Sequence, residues 1–118
     1  MKYFIKTFGC QMNYSDSERI AGFLEAKKYQ EAEKIEDANL VIFNTCGIRQ
    51  AAEDRALSII HALRKKYPAI KIILTGCLAN RKDVQKKIKN KVDSFFPIND
   101  FKLFKNWIIT SQRLVRPG

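Results

Sequence analysis

Three residues in this chain carry thiols that could bind a soft metal or attack an electrophile: Cys10, Cys46 and Cys77. Each follows an apolar run. Cys10 comes after Tyr3 to Phe8 and Gly9, Cys46 after Leu40-Val41-Ile42-Phe43-Asn44-Thr45, and Cys77 after Ile72-Ile73-Leu74-Thr75-Gly76. They lie 36 and 31 residues apart and form no C-x-x-C pair, so the spacing matches neither a zinc ribbon nor a zinc finger. A single cysteine most often packs as a small hydrophobe. Three at equivalent positions, each beside a glycine (Gly9, Gly47, Gly76), point instead to a shared metal or cluster site, because glycine lets backbone approach a bulky ligand. Three thiolates without an evident fourth protein ligand suit an iron–sulfur cluster with one open iron. Zinc held by three cysteines and a water or an Asn/Asp is a weaker alternative. A lone nucleophilic cysteine lacks a base, since the only histidine, His61, falls mid-helix and reads as a surface or boundary residue. A dinucleotide or flavin site ranks low, because neither G-x-G-x-x-G nor G-x-x-x-x-G-K-[ST] occurs.

The elements that must position these thiols follow from periodicity. Tyr3–Phe8 reads as a strand bounded by Gly9. Ser15-Asp16-Ser17-Glu18 fits a capping box opening a helix, with Ile20, Phe23 and Leu24 at helical spacing up to about Lys28. Tyr29 to Ala32 reads as a short edge strand, and the acidic stretch 31–37 as a loop or single helical turn. Leu40–Asn44 is continuously apolar, as expected of a central parallel strand covered on both faces. A helix over Gln50–Lys66 follows, with a stripe of Ala52, Ala56, Ile59, Ile60 and Leu63, ended by Tyr67-Pro68. Ile70–Thr75 is a third strand. Asn80–Lys89 is a third helix, with Val84 and Ile88 inward. Val92–Pro97 gives a last short strand, and Phe101, Phe104 and Ile108 fit a terminal helix. Residues 111–118 have no pattern and read as a linker or an expression remnant. This alternation implies an α/β domain, flavodoxin-like or Rossmann-like, in three layers. A mostly parallel sheet of four to five strands has helices on both faces and its ligand site at the carboxyl ends of the strands. All three cysteines fall at those ends.

At 118 residues the chain is one domain's worth of core. No apolar run approaches the ~20 residues of a membrane span, and Met1-Lys2-Tyr3-Phe4-Ile5-Lys6 has no signal-peptide layout, so a cytosolic monomer is the expectation. The net charge of +10 is lopsided. Residues 1–48 hold 6 Lys/Arg and 7 Asp/Glu, a net of −1, whereas residues 49–118 hold 16 and 5, a net of +11. The excess gathers at Arg64-Lys65-Lys66 and at Lys82, Lys86, Lys87, Lys89 and Lys91. A polyanionic partner or a solvated helix surface each accounts for it. A basic α/β RNA-binding module with packing cysteines therefore stands as a second reading, and a flavodoxin-like cofactor binder as a third.

Thr7-Phe8-Gly9-Cys10-Gln11-Met12-Asn13 with Asp16-Ser17-Glu18, Asn44-Thr45-Cys46 with Ile48-Arg49, and Thr75-Gly76-Cys77 with Ala79 and Arg81 together resemble the N-terminal domain of the radical-SAM methylthiotransferases. The resemblance covers about residues 1–110. Gly-Cys-Gln-Met-Asn is similar to the tRNA branch, the 2-methylthio-N6-isopentenyladenosine synthases, rather than to the branch acting on a ribosomal protein. The resemblance implies an auxiliary [4Fe–4S] cluster on Cys10, Cys46 and Cys77, whose open iron carries the sulfur destined for C2 of adenine in tRNA. Gly9, Gly47 and Gly76 would admit the cluster, while Gln11, Asn13, Asn44 and Thr45 would hydrogen-bond sulfides or orient the ligand turns. In the family, a second [4Fe–4S] cluster on a C-x-x-x-C-x-x-C motif cleaves S-adenosylmethionine, and an RNA-binding domain comes last. This chain has no such motif and no cysteine after Cys77. The expectation is a cluster-binding domain with no catalytic residue of its own, active only within a full-length enzyme.

Overall fold

The computed structural model describes residues 1–8, 11–45, 50–76, 81–96 and 101–114, with the side chains of these apart from 11–13, 50–53 and 111–114. In chain order they form β1 (Lys2–Phe8), α1 (Gln11–Ala26), β2 (Gln30–Glu31), β3 (Leu40–Thr45), α2 (Gln50–Lys66), β4 (Lys71–Gly76), α3 (Lys82–Ile88), β5 (Ser94–Phe96) and α4 (Phe101–Leu114). The strands make one sheet in the order β2-β1-β3-β4-β5, and every pairing is parallel. This is the flavodoxin-like strand order.

From β1 the chain winds outward to β2, and from β3 it winds the other way to β4 and β5. Crossovers of one hand wound in these two directions put α1 on one face and α2 and α3 on the other, and α4 returns to the α1 face. Ile20 and Leu24 of α1 and Phe104 and Ile108 of α4 bury against Tyr3, Leu40, Ile42 and Ile73 on one face. Ala56, Ile60 and Leu63 of α2 and Val84 and Ile88 of α3 bury against Val41, Phe43, Ile72 and Leu74 on the other. β3 sits in the middle and is buried along its whole length, which is why its sequence shows no polar alternation. The β2-to-β3 crossover has only a 3-10 turn, Ile35–Asp37, where a helix would normally lie. Ala32, Ile35 and Ala38 supply the apolar strip that a helix would have provided there.

The three-layer α/β architecture expected from the sequence is the one observed, and α2 has the expected bounds. Local expectations at both ends of α1 and at the end of α4 are corrected. Ser15-Asp16-Ser17-Glu18 does not cap α1, because the helix has already begun at Gln11 and these residues occupy its second turn. Ser17 is buried instead, and its hydroxyl is engaged inside the protein. α1 also ends earlier than Lys28. Lys28 takes φ 71°, and the Tyr29 amide donates back to the Leu24 carbonyl at 2.9 Å, a helix-ending turn usually built on glycine. At the other end of the chain, α4 continues through Leu114, into the stretch whose sequence carries no periodicity.

Candidate functional site

The carboxyl ends of β1, β3 and β4 are level with one another. Phe8 pairs with Thr45, and Thr45 pairs with Gly76. Neighbouring strands lie about 4.8 Å apart. Three adjacent chain segments therefore leave the sheet side by side, and they lead into Gly9-Cys10, Cys46-Gly47 and Cys77. Those residues lie outside the described ones, as do the side chains of Gln11 and Asn13. Of the site residues expected from sequence, the structure describes Asn44, Thr45 and Gly76 in full. Among the described residues no three His, Cys, Asp or Glu side chains gather around a metal position.

One residue below these ends lies a layer of polar side chains. Thr7, Asn44 and Thr75 are register partners across β1, β3 and β4 and share the α1/α4 face. Asn44 is fully buried, and its amide donates to Ser17 Oγ at 3.0 Å. Ser17 Oγ also lies 2.8 Å from Thr7 Oγ1, so one hydroxyl of α1 joins β1 to β3. Thr75 Oγ1 donates to the Phe96 carbonyl at 2.6 Å, fastening β5 to β4. On the opposite face, Thr45 Oγ1 donates to the Thr75 carbonyl at 3.2 Å. No buried side-chain nitrogen or oxygen among the described residues lacks a partner. A fully satisfied polar layer fixes which strand ends sit together more sharply than apolar packing does. Asn44 and Thr45 thus spend these hydrogen bonds within the sheet and on α1.

Ser17, Thr7 and Thr75 are the site residues that sequence reasoning missed. A signal was present: each of three apolar strands turns polar at its penultimate position, and that coincidence marks the register. Ser17 was hidden by the Ser-x-x-Glu pattern around it.

Gly76 has a reason within the fold itself. Its φ is +91°, and a Cβ there would meet the Thr45 amide nitrogen at 2.7 Å and Asn44 Oδ1 at 2.9 Å, with the Thr45 carbonyl closer still. β4 can end level with β3 only because this residue has no side chain.

The far end of the sheet is built differently. Arg64 of α2 donates through Nε to the Lys91 carbonyl at 2.8 Å and through Nη1 to the Pro68 and Ile70 carbonyls at 2.9 Å each. Its Nη2 reaches Asp93 Oδ2 at 2.9 Å, and that same oxygen accepts from the Ile72 amide at 2.7 Å. Arg64 therefore holds the connections entering β4 and β5 in place, and it leaves the set of cations expected to meet an anionic partner. Tyr3 of β1 is buried in the core on the α1/α4 face. Burial, together with its hydrogen bond to Glu25 at 3.0 Å, pushes its phenol well above the ordinary tyrosine value. Exposed Asp83 is held below the usual carboxylate range by its bond to Arg81. His61 is exposed on α2, as expected.

Residues 2–97 match the model of a family described as Uncharacterized protein family UPF0004. The chain is 44% identical over 100 residues to a tRNA-2-methylthio-N(6)-dimethylallyladenosine synthase of Syntrophomonas wolfei, covering 81% of this chain and 22% of that protein. Proteins of the same name from Hydrogenobaculum and Clostridium botulinum are 50% identical over 84 residues and 37% identical over 113. These alignments cover 69% and 91% of this chain, and 19% and 25% of those proteins. The chain thus spans about a fifth to a quarter of the length of the relatives it matches. The motifs around Cys10, Cys46 and Cys77 led by resemblance to the same group of tRNA-modifying relatives. With 96 of its 118 residues under one family model, counted from residue 2 to residue 97, the chain belongs to Uncharacterized protein family UPF0004.

Proposed function

We propose that the chain is the auxiliary [4Fe–4S] cluster-binding part of a tRNA methylthiotransferase, an enzyme that adds a methylthio group at C2 of an N6-modified adenosine. The observation that supports this reading is the register of Phe8, Thr45 and Gly76: three level strand ends, each followed in sequence by a cysteine-bearing segment. Cys10, Cys46 and Cys77 would hold the cluster. Their soft thiolates are the donors such clusters take, and three of them leave one iron open. Bound there, the cluster would supply a thiophilic iron for the sulfur to be inserted. The protein's own part is positional. Ser17, Asn44 and Thr7 lock β1 to β3, and Gly76 lets β4 finish alongside them.

The proposed domain runs through the end of α4 at Leu114, past the boundary at 110 expected from sequence, and it would work with further parts of the full-length enzyme. S-adenosylmethionine and a second [4Fe–4S] cluster belong to those parts, since these 118 residues contain no C-x-x-x-C-x-x-C motif. The chain alone is inactive in methylthiolation. It works as a monomer in the cytoplasm, and no described helix is long and apolar enough to cross a membrane. Relatives named for a tRNA modification support tRNA as the partner.

Anaerobic reconstitution with iron and sulfide tests the reading. About four irons and four sulfides per chain are expected, with loss of the cluster in Cys10→Ala, Cys46→Ala or Cys77→Ala. Unchanged iron and sulfide in all three variants would sink it. The 2-1-3-4-5 strand order favours one competing occupant, a flavin at the β1/β3 crevice. Yellow protein with bound flavin would select that reading instead.

A further inference from the structure

The basic surplus of the sequence divides into cations that are engaged and cations that stand clear. Arg64 is spent on four acceptors, Arg81 pairs with Asp83 at 2.7 Å, and Lys71 lies 3.8 Å from Asp93. Arg19 and Lys105 sit over the Phe101 ring at 4.8 and 5.0 Å. Lys82, Lys86 and Lys89 differ. They are exposed, make no ion pair with a described residue, and line a groove of about 360 Å³ together with Gln85 and the half-buried ring of Phe95.

The groove runs between α3 and β5, the outermost strand of the sheet. Lys82 and Lys86 of α3 and Lys89, which follows it in helical backbone geometry, stand at positions i, i+4 and i+7, one row with neighbours about 5–6 Å apart at Cβ. The row is about 10 Å long at 1.5 Å rise per residue. A lysine row beside an aromatic ring in a concave track is the combination that holds a single nucleic-acid strand: ammonium groups follow the phosphates while a base lies on the ring. An acidic peptide would satisfy the lysines but would leave the ring without a role. An anionic membrane would meet the lysines, and the vesicle comparison below separates it from RNA.

We propose that this groove binds the backbone of single-stranded RNA, with Lys82, Lys86 and Lys89 against phosphates and Phe95 as the platform for one base. The choice of RNA rests on the function proposed above, whereas the groove itself does not depend on the cysteines.

The test is fluorescence anisotropy of the 118-residue chain, prepared without iron, with labelled oligoribonucleotides of mixed sequence carrying 2-aminopurine. Lys86→Gln with Lys89→Gln is expected to weaken binding about tenfold and to flatten the log–log salt dependence by about 1.4, or 0.7 per lost phosphate contact on a single strand. Phe95→Leu, which keeps an apolar side chain in the core, is expected to weaken binding about fivefold and to remove 2-aminopurine quenching. Lys65→Gln with Lys102→Gln removes the same charge from exposed positions elsewhere and is expected to cost less than about twofold. The lysine variants lie on the surface and keep the test valid should Phe95→Leu fail to fold.

Equal losses in the groove and control pairs overturn the proposal, because they reduce binding to net charge. So does absence of RNA binding, or a preference for polyglutamate or phosphatidylserine vesicles over RNA. Iron and sulfide are measured in the same variants. A chain that loads its cluster but ignores RNA refutes the groove alone, and one that binds RNA through the groove but takes no iron refutes the cluster alone.

Discussion

At Gly76 the backbone turns to φ +91° beside the Thr45 peptide, a conformation that costs a residue with a side chain about 1–3 kcal/mol before any collision is counted. Gly76→Ala adds a methyl group that strikes backbone rather than a movable side-chain tip. It is therefore expected to destabilise by more than that range, read as a lower urea midpoint at unchanged slope; a midpoint matching the parent protein would refute this account. From sequence, Gly76 read as room for a ligand. The structure gives it a prior duty inside the sheet, one invisible in sequence because it depends on the β3 neighbour. Tyr3 makes the second prediction at this scale. Its folded pKa is raised, so the folded state keeps a proton that the unfolded state gives up above pH about 10. Tyr3 thus contributes its full stability below that pH and loses it progressively as the pH rises. Tyr3→Phe removes the ionisation, so between about pH 9 and 11.5 the variant's urea midpoint should fall less than the parent's. Parallel declines would show that the phenol is not responsible.

Among the elements, α1 is the one whose role sequence reading got partly wrong. Ile20 and Leu24 were correctly placed inward, since their spacing reflects burial that any helix register preserves. Its start was misplaced, because Ser-x-x-Glu is a local pattern and the competing signal was tertiary: Ser17 faces Thr7 and Asn44 from two other elements. α2 was delimited correctly because Pro68 and the last-turn cations act locally. What its sequence could not reveal is that one of those cations, Arg64, turns inward to serve the loops before β4 and β5. Charge-assisted hydrogen bonds of that kind contribute about 1.5–3 kcal/mol. Arg64→Ala is expected to destabilise by about 2–3 kcal/mol in urea unfolding. Arg64→Lys should recover little, because one ammonium cannot span the positions that a planar guanidinium reaches. Full recovery by lysine would mean that charge alone matters there.

Over the whole molecule, the layer order was legible because each strand-to-helix alternation repeats the same hydrophobic logic, and the handedness of crossovers leaves few arrangements. The missing helix before β3 was also legible, since Glu31 to Asp37 is too acidic and too short to cover a sheet. That the three cysteines fall at the carboxyl ends of strands was legible; the residue-by-residue alignment of β1, β3 and β4, on which the candidate site depends, was only hinted at by the polar residue near each strand's end. It emerges only when Thr7, Asn44 and Thr75 are seen as one row.

That alignment also sets a clock. β1 is made first, yet it is an inner strand whose neighbours are β2 and β3, and β3 in turn waits for β4. During synthesis, the three level strand ends are complete only when β4 has been made, about seventy residues after β1, at a synthesis rate of roughly 5–20 residues per second. On the proposed function, a shared cluster would have its full set of donors only in a chain already grown past Cys77. Loading would then be a late step, one that a nascent chain stalled before β4 would not begin.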